Sequence, residues 1–402
     1  MAGLITYLGS MITFVALPFQ LKEITGDYLS VGILGIIEIV PLVIFGLYGG
    51  VLADAVDRKK LIWACELASL LIVLGLYINS RLPEPSVVAI YIAAGLFATV
   101  NGLQRPSMNA ILPRLIEMKD LTAASNLNSL RYQFGVIVGP SIGGLVIASY
   151  GVEIGYLVDV ATFAISLFFL ARIRNIPPLH DAEKPSFKAL WEGVRYAFSR
   201  QDLLATYVID LAAMFFAMPN ALFPFWADQL NSSWALGLFY SAGMVGALVI
   251  TLTSGWTVHY RFHGRAVIWA AIGWGVAIAL SGLTNSLWLV LFCLAAAGAS
   301  DHISALFRGV IWNQTIPDNF RGRLAGIEML SYSLGPLAGQ LRAASMASAW
   351  SLSVSVTAGG VICVLVVAFL AILMPLFRKY DSETNEFALA EREKRKMTTM
   401  KE

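Results

Sequence analysis

Apolar residues fall along this chain in long unbroken blocks, not in alternation with polar ones. About 20 apolar residues of helix cross a bilayer core. Twelve such blocks are readable, at 2–20, 31–53, 61–80, 87–112, 127–149, 153–173, 204–228, 235–258, 267–285, 287–312, 327–349 and 354–377. Most connections are very short, which makes neighbouring helices antiparallel. One connection, 174–203, is long and polar and divides the blocks six and six. Within it Phe187, Leu190, Trp191, Val194 and Phe198 recur at helical spacing, with Lys188, Arg195 and Arg200 on the other faces. That pattern predicts an amphipathic helix on the cytoplasmic membrane surface, with a soluble linker helix as the alternative. The expectation is an all-α membrane protein of twelve transmembrane helices in two pseudo-symmetric six-helix bundles. Residues 1–173 form the first bundle, 174–203 the linker, 204–379 the second bundle and 380–402 a charged cytoplasmic tail.

Basic residues orient the blocks. They gather after the second block (DAVDRKK), in the linker, after the eighth (Arg261, Arg265), after the tenth (Arg321, Arg323) and in the tail from Arg378 to Lys396. The opposite side holds little beyond Lys22 and Arg81. Both termini are therefore expected in the cytoplasm. The first block starts at residue 2 with no polar lead, and at about 1.5 Å rise per residue it reaches only roughly 28 Å. The recorded start is expected to lie inside the first helix of a longer protein. No basic lead or small-residue cleavage site marks a signal peptide.

Composition narrows the classes. Of 402 residues, 57% are hydrophobic and 13% charged, and the charged share is about half the soluble norm. Mean hydropathy is +0.71. A soluble enzyme and a disordered chain are both excluded. A net charge of +2 offers no strongly basic face for nucleic acid. The three cysteines (Cys65, Cys293, Cys363) sit in apolar runs without disulfide or metal spacing. No G-x-x-x-x-G-K is present, so the chain carries no nucleotide-powered motor of its own. His180, His259 and His263 lie in loops without partners at metal spacing. No cofactor, metal or enzymatic activity is expected.

The halves repeat each other. Asn109-x-x-x-Pro113 ends the fourth block and Asn313-x-x-x-Pro317 the tenth; Gly139-Pro140-x-x-Gly143 lies in the fifth and Gly335-Pro336-x-x-Gly339 in the eleventh. Weak internal symmetry of this kind belongs to transporters whose substrate site lies near the midplane.

Two motifs carry a mechanism. Gly50-Val-Leu-Ala-Asp54-Ala-Val-Asp57-Arg58-Lys59-Lys60 follows the second block. It resembles the loop signature of the major facilitator superfamily, departing from it at Ala55 and Asp57. Glycine lets helices approach closely, and Asp54 suits the N-terminus of a nearby helix, worth roughly 0.3–1 kcal/mol. The resemblance implies that this helix is the eleventh block. Arg58 suits an acid of the loop after the fourth block, Glu117 or Asp120. Contacts of this kind bias an alternating-access equilibrium; a plain positive-inside loop is the alternative. Gly135-x-x-x-Gly139-Pro140-x-x-Gly143-Gly144 is similar to the motif that marks exporters of that superfamily, with Asn126 replacing its upstream glycine. Small residues four apart make a flat face and proline bends the helix. Gly50, Asp54, Arg58, Gly139, Pro140 and Gly143 are the candidate conformational gate. LPEPSVVAIY at 82–91, with GVLADAVDRKK, looks like the branch of enterobactin exporters and macrolide efflux proteins.

An ionisable residue inside a span is costly and is a functional candidate by default. Glu38, Asp159, Asp301 and His302 are the proton-coupling candidates, since burial brings a carboxylate towards protonation and histidine titrates near neutrality; buried acids hydrogen-bonded between helices are the alternative. Glu66 is expected to pair with basic residues near the cytoplasmic face. Arg105, Arg308 and Arg342 are expected to snorkel to an interface. The seventh block, FFAMPNALFPFW, is broken by Pro219 and Pro224, with Asn220 in the gap. Asp210, Phe216, Asn220 and Tyr132 are the substrate-pocket candidates, while Trp226 fits an interfacial belt. The resemblance implies a monomeric inner-membrane exporter that moves an amphipathic small molecule against protons, a catecholate siderophore in the first reading and a macrolide or other drug in the second.

Overall fold

The structure is a computed structural model that describes residues 2–115, 121–172 and 195–399. The side chains of Asp54 and Tyr132, and the surroundings of Gly50, lie outside the described residues. So does most of the expected linker helix; 195–199 are helical. Among the described residues the regular structure is entirely helical.

The helices are α1 (Ala2–Thr25), α2 (Tyr28–Ala55), α3 (Arg58–Ser80), α4 (Val87–Leu115), α5 (Leu121–Ala171), α6 (Gln201–Ala217), α7 (Phe223–Gln229), α8 (Leu236–Thr253), α9 (His263–Ser281), α10 (Leu287–Thr315), α11 (Asp318–Ala349), α12 (Leu352–Leu373), α13 (Pro375–Arg378) and α14 (Glu386–Thr399). Ten stretches are long and apolar enough to cross a bilayer. One of them, 39 residues at Gln133–Ala171, holds two passes joined at Gly151. Gly151 sits at φ 82°, ψ 168°, a conformation open essentially to glycine alone, so the chain reverses there without a loop. Helix α11 has 32 residues and supplies the remaining pass; Arg321, Arg323, Glu328 and Arg342 lower its hydropathy. Twelve passes follow among the described residues.

Polar side chains set the helix starts. Asp27 caps α2 by accepting from the Leu29 and Ser30 amides at 3.2 and 3.1 Å. Asp57 caps α3 in the same way, from Lys59 and Lys60 at 2.9 and 3.2 Å. A carboxylate there satisfies amides that a helix start leaves unpaired, which is a physical reason for Asp57 where the superfamily signature has glycine. Pro219 and Pro224 break the seventh pass as expected. Helix α6 ends at Ala217, a 3₁₀ turn covers Asn220–Leu222, and α7 starts with Pro224 in its first turn.

The chain forms two compact units, 1–185 with 220–241 and 186–219 with 242–402. In the first, α1 packs on α5, α2 on α4, and α3 on α4 and α5. In the second, α6 packs on α11 and α12, and α9 on α10 and α12. Two pairings recur between the units: first with fifth as seventh with eleventh, and third with fourth as ninth with tenth. The repeat read from the glycine-proline motifs is thus a repeat of packing.

The tail is more than a solvated charged segment. Its backbone returns over the second unit: Ser382 N–H donates to the Arg261 carbonyl at 3.0 Å, and Arg261 pairs with Asp381 at 2.5 Å and Glu383 at 3.2 Å. Tyr380 stacks on His263 at 5.9 Å, and α14 lies against α10.

Candidate transport site

Glycines of α5 make two seams within the first unit. A Cβ at Gly135 or Gly139 would strike Tyr7 or Met11, and one at Gly143 would come within 3.0 Å of the Ile12 Cα. These positions form the flat face against α1. On the other side, a Cβ at Gly144 would run into the Gly237 backbone. Beside that contact, Ser141 and Ser241 hydroxyls meet at 2.8 Å, and Ser241 donates to the Ile137 carbonyl at 2.7 Å. Pro140 has no amide, so the carbonyl it would serve in the helix is that of Val136, one residue before Ile137. In the second unit Gly335 and Gly339 meet Met214 of α6, the counterpart of Met11 on α1. Arg58, at the start of α3, is 5% exposed.

The intramembrane acids separate into distinct environments. Asp210 on α6 is buried and forms an ion pair with Arg308 on α10. Asp301 lies 4.0 Å from the same guanidinium. Arg308 does not snorkel: an acid on a neighbouring helix holds it inside. Adjacent His302 faces elsewhere, with its Nε2 2.9 Å from the Thr251 hydroxyl on α8. Asp301 and His302 are therefore neighbours in sequence but not partners. Asp159 is fully buried and accepts from the Thr13 and Thr162 hydroxyls. Glu38 is half-buried on α2 and has no hydrogen bond or ion pair among the described residues. Glu66 also differs from expectation: its donors include Gln104 Nε2 at 2.9 Å and Thr6 Oγ1 at 3.4 Å, and no basic residue pairs with it among the described residues. Arg342 bonds three groups of its own unit, the Phe215 and Ser355 carbonyls at 3.3 and 3.2 Å and the Met346 sulfur at 3.9 Å.

The aromatic candidates lie in both units. Phe216 sits edge-on to Phe215 at 4.9 Å. Asn220 offers its carbonyl to the Tyr240 hydroxyl at 3.4 Å, and Tyr240 packs on Phe223 at 4.9 Å. Trp226 is 2% exposed, packed with Phe223 and Phe239. It is a core residue, not part of an interfacial belt. A cavity of about 230 Å³ that sequence reasoning missed opens in the second unit, lined by Tyr207, Trp312, Asn313, Leu324 and Glu328 among others. Tyr207 and Trp312 stack at 5.4 Å, and the Trp312 indole donates to Thr206 at 2.9 Å.

Residues 1–397 match the family model described as transmembrane secretion effector. The chain belongs to that family, within the major facilitator superfamily. Its members are transporters and not enzymes, so this is a multi-pass membrane transporter of small molecules. The chain is 29% identical over 317 residues to the enterobactin exporter EntS of Shigella boydii serotype 18 (strain CDC 3083-94 / BS512), covering 78% of this chain and 76% of that one. It has the same identity and coverage to EntS of Escherichia coli O81 (strain ED1a). Among solved structures, a bacterial homologue of the iron transporter ferroportin superposes with TM-score 0.71 at 15% identity, covering 94% of this chain and 97% of the other. The nucleoside transporter NupG superposes with TM-score 0.70 at 12% identity, covering 94% and 96%. At those identities the structures establish the shared fold.

Proposed function

We propose that this transporter exports a catecholate siderophore of the enterobactin kind across the bacterial inner membrane, in exchange for protons. The observation that carries this reading is the 29% identity to enterobactin exporters over 78% of the chain. The glycine-proline seam agrees with an exporter, because it gives α5 tight contacts on two sides. Basic loops on one side orient both termini to the cytoplasm. The protein acts as a monomer of two six-helix bundles, 1–173 and 204–379, joined by the 174–203 linker, with 380–402 as its cytoplasmic tail. Glu38, Asp159, Asp301 and His302 are the proton-coupling groups; Asp210, Phe216, Asn220 and Tyr132 contribute to the substrate path. Gly50, Asp54, Arg58, Gly139, Pro140 and Gly143 gate it.

A second reading, macrolide or other drug efflux, is favoured by one observation: the cavity carries Glu328 beside the Tyr207–Trp312 pair, a combination suited to an amine-bearing amphipath. Inverted membrane vesicles separate the two. With an imposed proton gradient, uptake of a catecholate siderophore that an uncoupler abolishes is the expected result. Uptake of macrolides alone would establish the second reading, and uncoupler-insensitive uptake would overturn proton exchange.

A further inference from the structure

Among the described residues, Glu66 on α3 and Asp159 on α5 are the most deeply buried carboxylates of the first unit, 6% and 0% exposed. Their hydrogen-bond donors are all neutral. Three polar residues spaced by seven on α1 line the seam that holds them: Thr6 donates to Glu66, Thr13 donates to Asp159, and Gln20 accepts from Tyr156 at 2.7 Å. That spacing keeps the three on one helix face. Gly9 lies between Thr6 and Thr13, and a Cβ there would strike the Asp159 carboxylate and the Thr162 hydroxyl. The backbone of α1 therefore closes on the acid. On α4, Gln104 donates to Glu66, and one turn further Ser107 is 0% exposed with no partner for its hydroxyl.

Charge accounting separates this place from the second unit. There, Asp210 has Arg308. Here the packed elements carry the cations Lys22 on α1, Arg58, Lys59 and Lys60 on α3, Arg105 and Arg114 on α4 and Arg131 on α5, together with Glu23, Cys65, Glu153 and the tyrosines Tyr7, Tyr77, Tyr91, Tyr132, Tyr150 and Tyr156. No cation forms an ion pair with Glu66 or Asp159 among the described residues, and the two acids accept from hydroxyls two turns apart on the same face of α1. Two uncompensated carboxylates in a membrane interior are costly, and a charge-neutralising ligand small enough for a seam this tight is a proton.

We propose that Glu66 and Asp159 together bind one exchangeable proton, as a coupled pair, along the α1 seam of the first unit. Binding forms one carboxyl O–H and takes the pair from two negative charges to one. The hydroxyl that donated to that oxygen turns to accept, while the remaining carboxylate keeps its threonine or glutamine donors. Release reverses each change. Glu66 thereby joins Asp159 in coupling, and the inference rests on the proton-driven reading above.

Infrared spectroscopy of the purified protein in lipid nanodiscs, without substrate, tests it across about pH 5 to about pH 9. The wild-type signal minus that of Glu66→Gln, and minus that of Asp159→Asn, should contain a protonated-carboxyl band that titrates. Each single variant should also move the midpoint of the acid that remains, as coupled sites require. Thr13→Val leaves both acids in place and should shift the midpoint, with Thr13→Ser restoring it, so the result does not depend on a carboxylate variant folding. Difference bands that ignore pH overturn the proposal and make the pair structural. A midpoint that moves with sodium concentration also overturns it, in favour of a metal cation. In proteoliposomes the carboxylate variants should lose uncoupler-sensitive accumulation. A titrating pair in a wild type that moves no siderophore would leave the proton site standing while the export reading falls.

Discussion

Arg308 of α10 and Asp210 of α6 form a buried ion pair across the second unit, with side chains 8% and 4% exposed. Asp301 lies 4.0 Å from the other terminal nitrogen of the same guanidinium. Removing the arginine therefore strands two acids. Breaking a buried pair by deleting one partner costs about 3–5 kcal/mol. Arg308→Gln is expected to lower thermal stability sharply, as read by detergent-solubilised unfolding. Asp210→Asn should cost less, because Asp301 still faces the cation. Equal losses for the two variants would show that Asp301 contributes nothing to holding Arg308.

Glycine positions differ in what surrounds them, and that difference is measurable. A methyl at Gly144 would meet the Gly237 backbone, whereas one at Gly75 of α3 would meet nothing within 4 Å. Overpacking costs roughly 1–3 kcal/mol, while alanine in a helix interior gains roughly 0.5–1 kcal/mol over glycine. Gly144→Ala should lower the unfolding temperature and Gly75→Ala should leave it level or raise it. The reverse order would disprove the α5–α8 seam as a close backbone contact.

Much of the fold was legible because lipid imposes a simple pattern. Apolar runs of bilayer length marked the passes, and Pro219 with Pro224 marked the break in the seventh. The repeat was visible in Gly139-Pro140 and Gly335-Pro336, since close helix contact demands small residues at fixed spacing. Pairing was less legible. Nothing in the sequence distinguishes an arginine that snorkels from one held inside, so Arg308 needed Asp210, 98 positions away in number, to be placed beside it. Glu66 looked near enough to basic residues to be neutralised by them. Its partners are instead a threonine and a glutamine, chosen by how α1 and α4 pack. The cavity at Tyr207 and Trp312 depends on three helices meeting and had no local signature.

Arg200 ties the start of the second unit to the tail. Its guanidinium pairs with Asp202, donates to the Thr315 carbonyl at 2.8 Å, and stacks on the Phe387 ring at 3.5 Å from the centroid. A planar fork serves all three at once, which an ammonium cannot. Arg200→Lys is expected to loosen α14 and speed proteolysis of the tail, and Phe387→Leu should do the same more weakly. Unchanged cleavage in Arg200→Lys would mean that the stack does not hold the tail.

Acid should release the same tail through Asp381. The Glu383 backbone amide, opposed by partial burial and supported by Arg261, holds the Asp381 carboxyl below the usual carboxylate range. A group whose pKa falls on folding stabilises the folded state fully above its unfolded value, about 3.9 for aspartate. That stabilisation is lost as pH drops through the lower, folded value. Docking of α14 should therefore be insensitive to pH around neutrality, where Asp381 stays ionised, and weaken only in strong acid. Asp381→Asn removes the charge at every pH, so it should expose α14 amides to hydrogen exchange already at neutrality and abolish the acid-dependent step. An acid-dependent step that survives in Asp381→Asn would assign the transition to another carboxylate of the tail, with Glu383 next in line through its 3.2 Å contact with Arg261.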